Sequence, residues 1–450
     1  MFKKIEIWIL YLVILISILF IVGFGVLVRQ ELVGSVKAGW VSKTALSITE
    51  LPAKIKSSIS ELKRPDRFPE LSGFNGTPNI NESYLLLSRY NGDIKEGLVE
   101  LIDLTTFNIL HTWNPDIDEF NNLIKDTNEF KNLSRDRKNS RTILRHPLLT
   151  NDGGLIFQHE TPLRKIDACS NLIFQNAKDL FHHSQEIDID GNIWTSSYIY
   201  PQILPSRNVG RNTPSEGGYM DDAIVKLSQN GEILYEKSIS EMLIENNLEY
   251  LLYSSTYDFF SKDPIHLNDI QPVNFDSKFW KKGDVFLSIR NQSMILLFRP
   301  SSNKIIWKGA GKFFFQHDVD ILDSHRISIF NNNGKEFHDG YSVDGNNQVV
   351  IYDFESNKYS HYLLDSLIEH DIRSPLQGRS EILLNGDLYI EESDFARTLY
   401  FNVDGSLRWS HVNRANNGSV YMTGWSRILY KKDDINIVKK FLTSKISCNE

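Results

Sequence analysis

Three phrases in this chain put histidine at the head of a strand-like segment. "FHHSQEIDID" supplies His182 and His183, "PIHLNDIQPV" supplies His266, and "FFFQHDVDIL" supplies His317. A fourth, "GRSEILLNGDLYI", opens with Arg379 in the corresponding place. Neutral imidazole can serve as base, nucleophile or metal ligand. The residues around it arbitrate. Asn268 lies two positions after His266, and "GDVFLSIRNQSMILLF" puts Arg290 on the strand that follows. A guanidinium beside imidazoles opposes a divalent cation and suits a tetrahedral oxyanion such as sulfate or phosphate. These residue types point to binding of such an anion rather than of a metal. No Gly-rich phosphate loop of the Walker type is present.

Residues spread over nearly 200 positions can share one site only if the fold repeats. From about residue 80, short runs rich in Ile, Val, Phe, Tyr and Trp alternate with Asn-Gly and Asp-Gly turns, as in "EIDIDGNIWTS", "AIVKLSQNGEILYEKSI" and "TLYFNVDGSLRWSHV". These runs group into six units that begin near Tyr84, His146, His183, His266, His317 and Arg379. Unequal four-stranded repeats predict an all-β, six-bladed β-propeller over residues 79–450, with an array of β-sandwiches as the alternative. The first strand of each blade lines the central channel. His183 or His182, His266, His317 and Arg379 are therefore expected to converge on its axis. Helical patterning is weak and confined to segments near 119–131, 238–249 and 362–369.

The N-terminus carries a different signal. Ile7 to Val28 is a 22-residue run without a charge. At about 1.5 Å per residue it reaches roughly 33 Å, enough to span a bilayer core. No small-residue cleavage site follows it, so an uncleaved anchor over residues 1–29 is preferred to a signal peptide. Lys3 and Lys4 favour a cytoplasmic N-terminus, against Arg29, Lys37 and Lys43 on the other side. Residues 30–78 read as a helical stalk in which Pro52 breaks the helix or starts a turn. A net charge of −8, with no concentrated basic run, argues against a nucleic-acid partner. The two cysteines, Cys169 and Cys448, have no metal-ligand spacing; one disulfide and two free thiols are both open.

The ordered set "HLND", "SIRNQS", "QHD" and "FNNNG" (Phe330 to Gly334) resembles the bacterial PAPS-independent arylsulfotransferases over residues 80–430. The resemblance implies a six-bladed propeller at the outer side of the inner membrane. It also implies transfer of a sulfuryl group from an aryl sulfate donor to a phenolic or other hydroxyl acceptor through a sulfohistidine intermediate. By that resemblance His317 is the nucleophile, and Arg290, His266 and Asn268 hold the sulfuryl oxygens. A histidine of the "HHS" pair, His183 before His182, is the acid or base. The expected location is the inner membrane, single-pass, with the catalytic domain on the periplasmic or extracellular side. Oligomeric state is left open. Two other classes compete: a membrane-anchored propeller that binds or scaffolds carbohydrate or other envelope components, and a metal-dependent lyase or hydrolase.

Overall fold

Successive side chains of a strand point to opposite faces, so a strand buried on both faces packs against two neighbours. Leu85 and Leu87 join Leu383, Tyr389, Tyr400 and Trp409 in one apolar cluster, while Tyr84 and Leu86, between them, join Leu155, Phe157 and Ile166 in another. This alternation is repeated at six interfaces around a ring. The computed structural model describes residues 6–32, 38–60, 62–124, 138–178, 180–205, 219–253, 262–338, 340–444 and 448. Its described strands form six radial sheets of four or five antiparallel strands, plus one two-stranded hairpin. The fold is a six-bladed β-propeller.

Blades two to six start with inner strands Arg145–Leu149, His182–Ile187, Leu267–Pro272, Val319–Ile321 and Arg379–Ile382. Blade one differs from the expected start at Tyr84. Its innermost strand is Arg427–Leu429 from the far end of the sequence, which pairs with Tyr84–Asn91. Strand Gly73–Gly76 adds a fifth, outermost strand to blade six beside Leu407–Val412. The ring is thus closed twice, once at the axis and once at the rim.

A helix α1, Ile7–Leu32, contains a span from Ile7 to Glu31 that is long and apolar enough to cross a membrane. A second helix α2, Gly39–Ser60, follows it. The helix does not break at Pro52. The proline removes one intrahelical donor, and the carbonyl this frees is that of exposed Ile48, where water can satisfy it. Short helices lie at Ile117–Asn122, Ile239–Glu245 and Leu364–Glu369, close to three expected segments; residues 125–131 of the first lie outside the described part.

Cys169 and Cys448 form a disulfide. It ties a turn of blade two to the chain just beyond the C-terminal helix Lys432–Thr443, whose Phe441 stacks on Trp113. The bond closes a loop of 279 residues, which restricts the unfolded chain far more than the folded one. Cys448→Ser should lower the unfolding free energy by roughly 2–4 kcal/mol. Thermal melts of the two proteins without reductant check this, and equal midpoints would remove the disulfide from the stability argument.

Candidate active site

At the entrance of every inner strand one residue takes the left-handed backbone conformation. They are Trp425 (φ +60°), His146 (+49°), His183 (+60°), His266 (+56°), Phe315 (+50°) and Gly378 (+118°). The turn swings the chain from the outside of one blade to the axis of the next. Such φ values are uncommon outside glycine, and histidine is among the residues that tolerate them best. This corrects the expected equivalence. His183 and His266 hold the left-handed place itself, whereas His317 lies two residues beyond Phe315, in the place that Asn268 occupies one blade earlier.

His317 forms the floor of the site and is only 2% exposed. Its Nδ1 lies 2.7 Å from Asn332 Oδ1. The Asn332 amide cannot be turned round, because its Nδ2 donates at 2.9 Å to both Ser374 O and Gln377 O. Its oxygen must therefore face the ring, Nδ1 carries the proton, and Nε2 keeps its lone pair. Burial, reinforced by the nearby Arg290 guanidinium, pushes the His317 pKa down to about 3. The imidazole is neutral near neutral pH. Of the three aromatics before it, which precede the strand, Phe313 packs fully buried in the core between blades four and five, while Phe314 is 39% exposed.

The other expected residues meet above this floor. The His183 and His266 rings are 4.8 Å apart, and His183 and His317 each lie 6.0 Å from Trp425. His266 Nδ1 sits 2.6 Å from Asp263 Oδ2, which leaves Nε2 as the nitrogen available to a ligand. His183 reaches back through Nδ1 to His182 Nδ1 at 2.6 Å, so only one of the two facing nitrogens carries a proton. His182 stacks on Tyr198 behind its partner. Burial and the charge of His266 lower both pKa values, that of His182 to about 3. Of the pair, His183 belongs to the cluster and His182 supports it. Asn268 Nδ2 donates to Gln316 O at 3.1 Å, which braces the peptide carrying His317.

Arg290 lies across the Phe315 and Tyr341 rings at 4.8 and 5.7 Å, and its Nη1 donates to Asn291 at 2.7 Å. Its Nε and the indole Nε1 of Trp425 are buried donors with no hydrogen-bond partner among the described residues. Unpaired buried donors are costly, and they mark where an acceptor belongs. Arg379 does not join this group. Its guanidinium contacts His146 Nε2 at 3.1 Å and Glu381 at 3.2 Å, with Asp318 at 3.7 Å. Burial works against its charge, but Asp318 and Glu381 outweigh it and raise the Arg379 pKa. It therefore belongs to a separate buried ion network.

Asn332, Trp425 and Tyr341 were not singled out from sequence. Asn332 lies inside the quoted "FNNNG", so a signal for it was present. Trp425 precedes the closing strand of blade one and gives no local hint of the axis.

No curated protein matches the chain. Solved structures resemble it only distantly. A protein of unknown function from Bacteroides caccae is 12% identical, with 78% of this chain and all of that chain covered and a TM-score of 0.45. Virginiamycin B lyase from Staphylococcus aureus is 11% identical, with 61% of this chain and 71% of that one covered and a TM-score of 0.35. The WD40 β-propeller domain of Doa1 is 11% identical, with 83% and 98% covered and a TM-score of 0.38. The family model described as arylsulfotransferase (ASST) matches residues 146–414, more than half of the chain and all of the histidine cluster. This chain belongs to the arylsulfotransferase family.

Proposed function

We propose that the protein moves a sulfuryl group from an aryl sulfate to a hydroxyl acceptor in two displacements through a sulfohistidine on His317, without PAPS. The carrying observation is the Asn332–His317 hydrogen bond, which leaves a buried, neutral imidazole with Nε2 as its free nitrogen. Nε2 attacks sulfur as the bond from sulfur to the aryl oxygen breaks, and the aryl oxide leaves with the electron pair and is protonated by solvent. Lowered pKa values keep the His183–His182 pair neutral and ready to act as base. In the second half that pair removes the proton of the acceptor hydroxyl. The acceptor oxygen attacks sulfur, the N–S bond breaks, and its electron pair returns to Nε2. The pair then passes its proton to solvent. Arg290 Nε and Trp425 Nε1 are the donors suited to the sulfuryl oxygens, with His266 beside them, and donors already in place cost no reorganisation when charge develops. Asn268 acts by holding the Gln316 peptide. The disulfide fits an oxidising compartment, and with the N-terminal span it favours single-pass anchoring with the propeller outside the cytoplasm.

Incubating the protein with 4-nitrophenyl sulfate should add one sulfuryl group to His317, detectable by peptide mass spectrometry. His317→Ala should abolish both adduct and transfer with the fold retained. Normal transfer by that variant would sink the nucleophile assignment, and no adduct or transfer by the parent would favour a binding role. Arg290→Lys keeps the charge but loses the forked donors, and should slow turnover by roughly 10²-fold, as removal of other oxyanion donors does.

The pH profile of adduct formation is a separate test. With a pKa near 3, His317 stays unprotonated from pH 8 down to 5, so single-turnover adduct formation should be flat with respect to this group. Asn332→Asp puts an anion on Nδ1, favours the imidazolium and raises the pKa. That variant should lose rate as pH falls within this range. A parent profile that already bends near 6.5, the value of a solvated imidazole, would contradict the buried neutral nucleophile.

A further inference from the structure

We propose that the histidine end of the channel faces the bilayer that carries α1, and that the acceptor is a hydroxyl on an amphiphile resident in that bilayer. The acceptor rests on the sulfotransferase reading; the orientation does not.

The chain enters the propeller on the histidine face. α2 ends at Ser60, and Leu62 O already accepts from Met422 N at 2.8 Å, while Arg64 N donates to Val420 O at 3.0 Å. Those partners lie three to five residues before Trp425. Arg67 Nη2 then bonds Asp371 at 2.5 Å, just ahead of the Ser374–Gln377 turn that holds Asn332. Only after this does the chain descend, as strand Gly73–Gly76, along the outer edge of blade six.

α2 itself has the character of a helix lying in the membrane interface. Trp40 (76% exposed), Val41, Ile48 and Leu51 (55%) are apolar and open to the surroundings. At about 100° per residue they fall on one arc roughly 100° wide. Ser42 and Ala45 lie outside that arc and are buried, with Ser42 Oγ donating to Glu31 Oε2 of α1 at 2.9 Å. A helix with an exposed apolar stripe and a Trp, joined to a membrane span, settles with that stripe in the acyl boundary. Lying flat, it keeps the attachment at Leu62 beside the surface.

The rim of the mouth agrees with this orientation. Tyr250 and Tyr253 on a short helix, Phe337 on the two-stranded hairpin, and Phe314 and Leu376 on loops are between 39% and 50% exposed on the histidine face. Lys335 Nζ sits 5.0 Å from the Phe314 ring and is paired with Asp344, so the rim offers apolar rings rather than a free charge. His317 at the floor is then reached by a headgroup hydroxyl while the apolar chain stays in the leaflet. That hydroxyl loses its proton to His183, its oxygen bonds sulfur, and the N–S bond to His317 breaks, so that no further reactant is needed.

The test uses full-length protein in phosphatidylcholine vesicles, 4-nitrophenyl sulfate as donor, and either 4-dodecylphenol in the bilayer or phenol in solution at the same bulk concentration. Confinement of enzyme and acceptor to one surface should favour dodecylphenol by about tenfold or more. The double variant Ile48→Asp, Leu51→Asp should lose that preference and keep transfer to phenol. Equal use of both acceptors, or a variant that keeps the preference, overturns the acceptor assignment and leaves the sulfotransferase standing. Hydrogen exchange reads orientation without any chemistry. Vesicles should protect the loops at 312–315 and 374–377 and not the turns at 383–387 and 402–406 of the opposite face. Protection of that opposite face, or of neither, overturns the orientation. Protection of the histidine face with no His317 adduct discards the sulfotransferase reading and the acceptor with it.

Discussion

Closure of the ring is the constraint on which the site depends. Arg427–Leu429 must find Tyr84–Asn91 across more than 300 residues of intervening sequence before blade one has an inner strand. That step delivers Trp425, whose ring touches both His183 and His317, and it lays Arg427 against His146 and Glu186. Inter-strand hydrogen bonds and the apolar cluster between blades six and one compensate the entropy of so long a closure. The disulfide acts on the same end of the chain from outside, and Gly73–Gly76 acts on the neighbouring seam. Three devices thus converge where an open ring would separate.

Two polar layers occupy the axis. The upper layer holds the imidazoles of His183, His266 and His317 with the Arg290 guanidinium. Beneath it, His146 Nε2 accepts from both Arg379 and Arg427, and burial together with those two cations holds its pKa well below 6.5. Around it stand Asp269 and Asp318, whose carboxyls burial pushes up to about 8 and about 6. Farther along, Glu186, Asp320, Glu381, Arg427 and Lys431 line a cavity of about 440 Å³ at the opposite mouth. Asp318 follows His317 directly, yet its Oδ2 accepts from Ser380 N and not from the imidazole. A carboxylate on Nδ1 would favour the imidazolium; the chain puts Asn332 there and turns the adjacent acid away.

Much of the fold was legible because blade periodicity is local. Asn-Gly and Asp-Gly turns, alternating apolar residues and a polar phrase before each inner strand mark five of the six starts. Blade one escaped because its inner strand is supplied by distant sequence. The cluster of His183, His266, Arg290 and His317 was legible for the same local reason, the histidines lying at the entrances of inner strands and Arg290 at the end of the strand paired with one of them. The misplacement of Arg379 shows the limit of that reasoning: a shared blade position fixes the height of the backbone, not the direction of the side chain. Arg379 follows Gly378 by one residue, His317 follows Phe315 by two, and that difference of one reverses the face presented.

The left-handed residues explain why sequence could point to histidine and still take unlike blade positions as equivalent. A turn that reverses direction at the axis needs a residue that tolerates positive φ, and His146, His183 and His266 meet that need. His146 then serves as an acceptor between two arginines, while His183 and His266 gather above His317. Residue type at these positions is set first by the backbone, and chemistry is selected afterwards by the neighbours. His317 is the exception. It has no left-handed backbone to satisfy, and among the described residues Asn332 is the one whose side chain bonds its ring. A histidine that the fold does not require, yet buries and orients, is the member of the set whose presence is best explained by the proposed transfer.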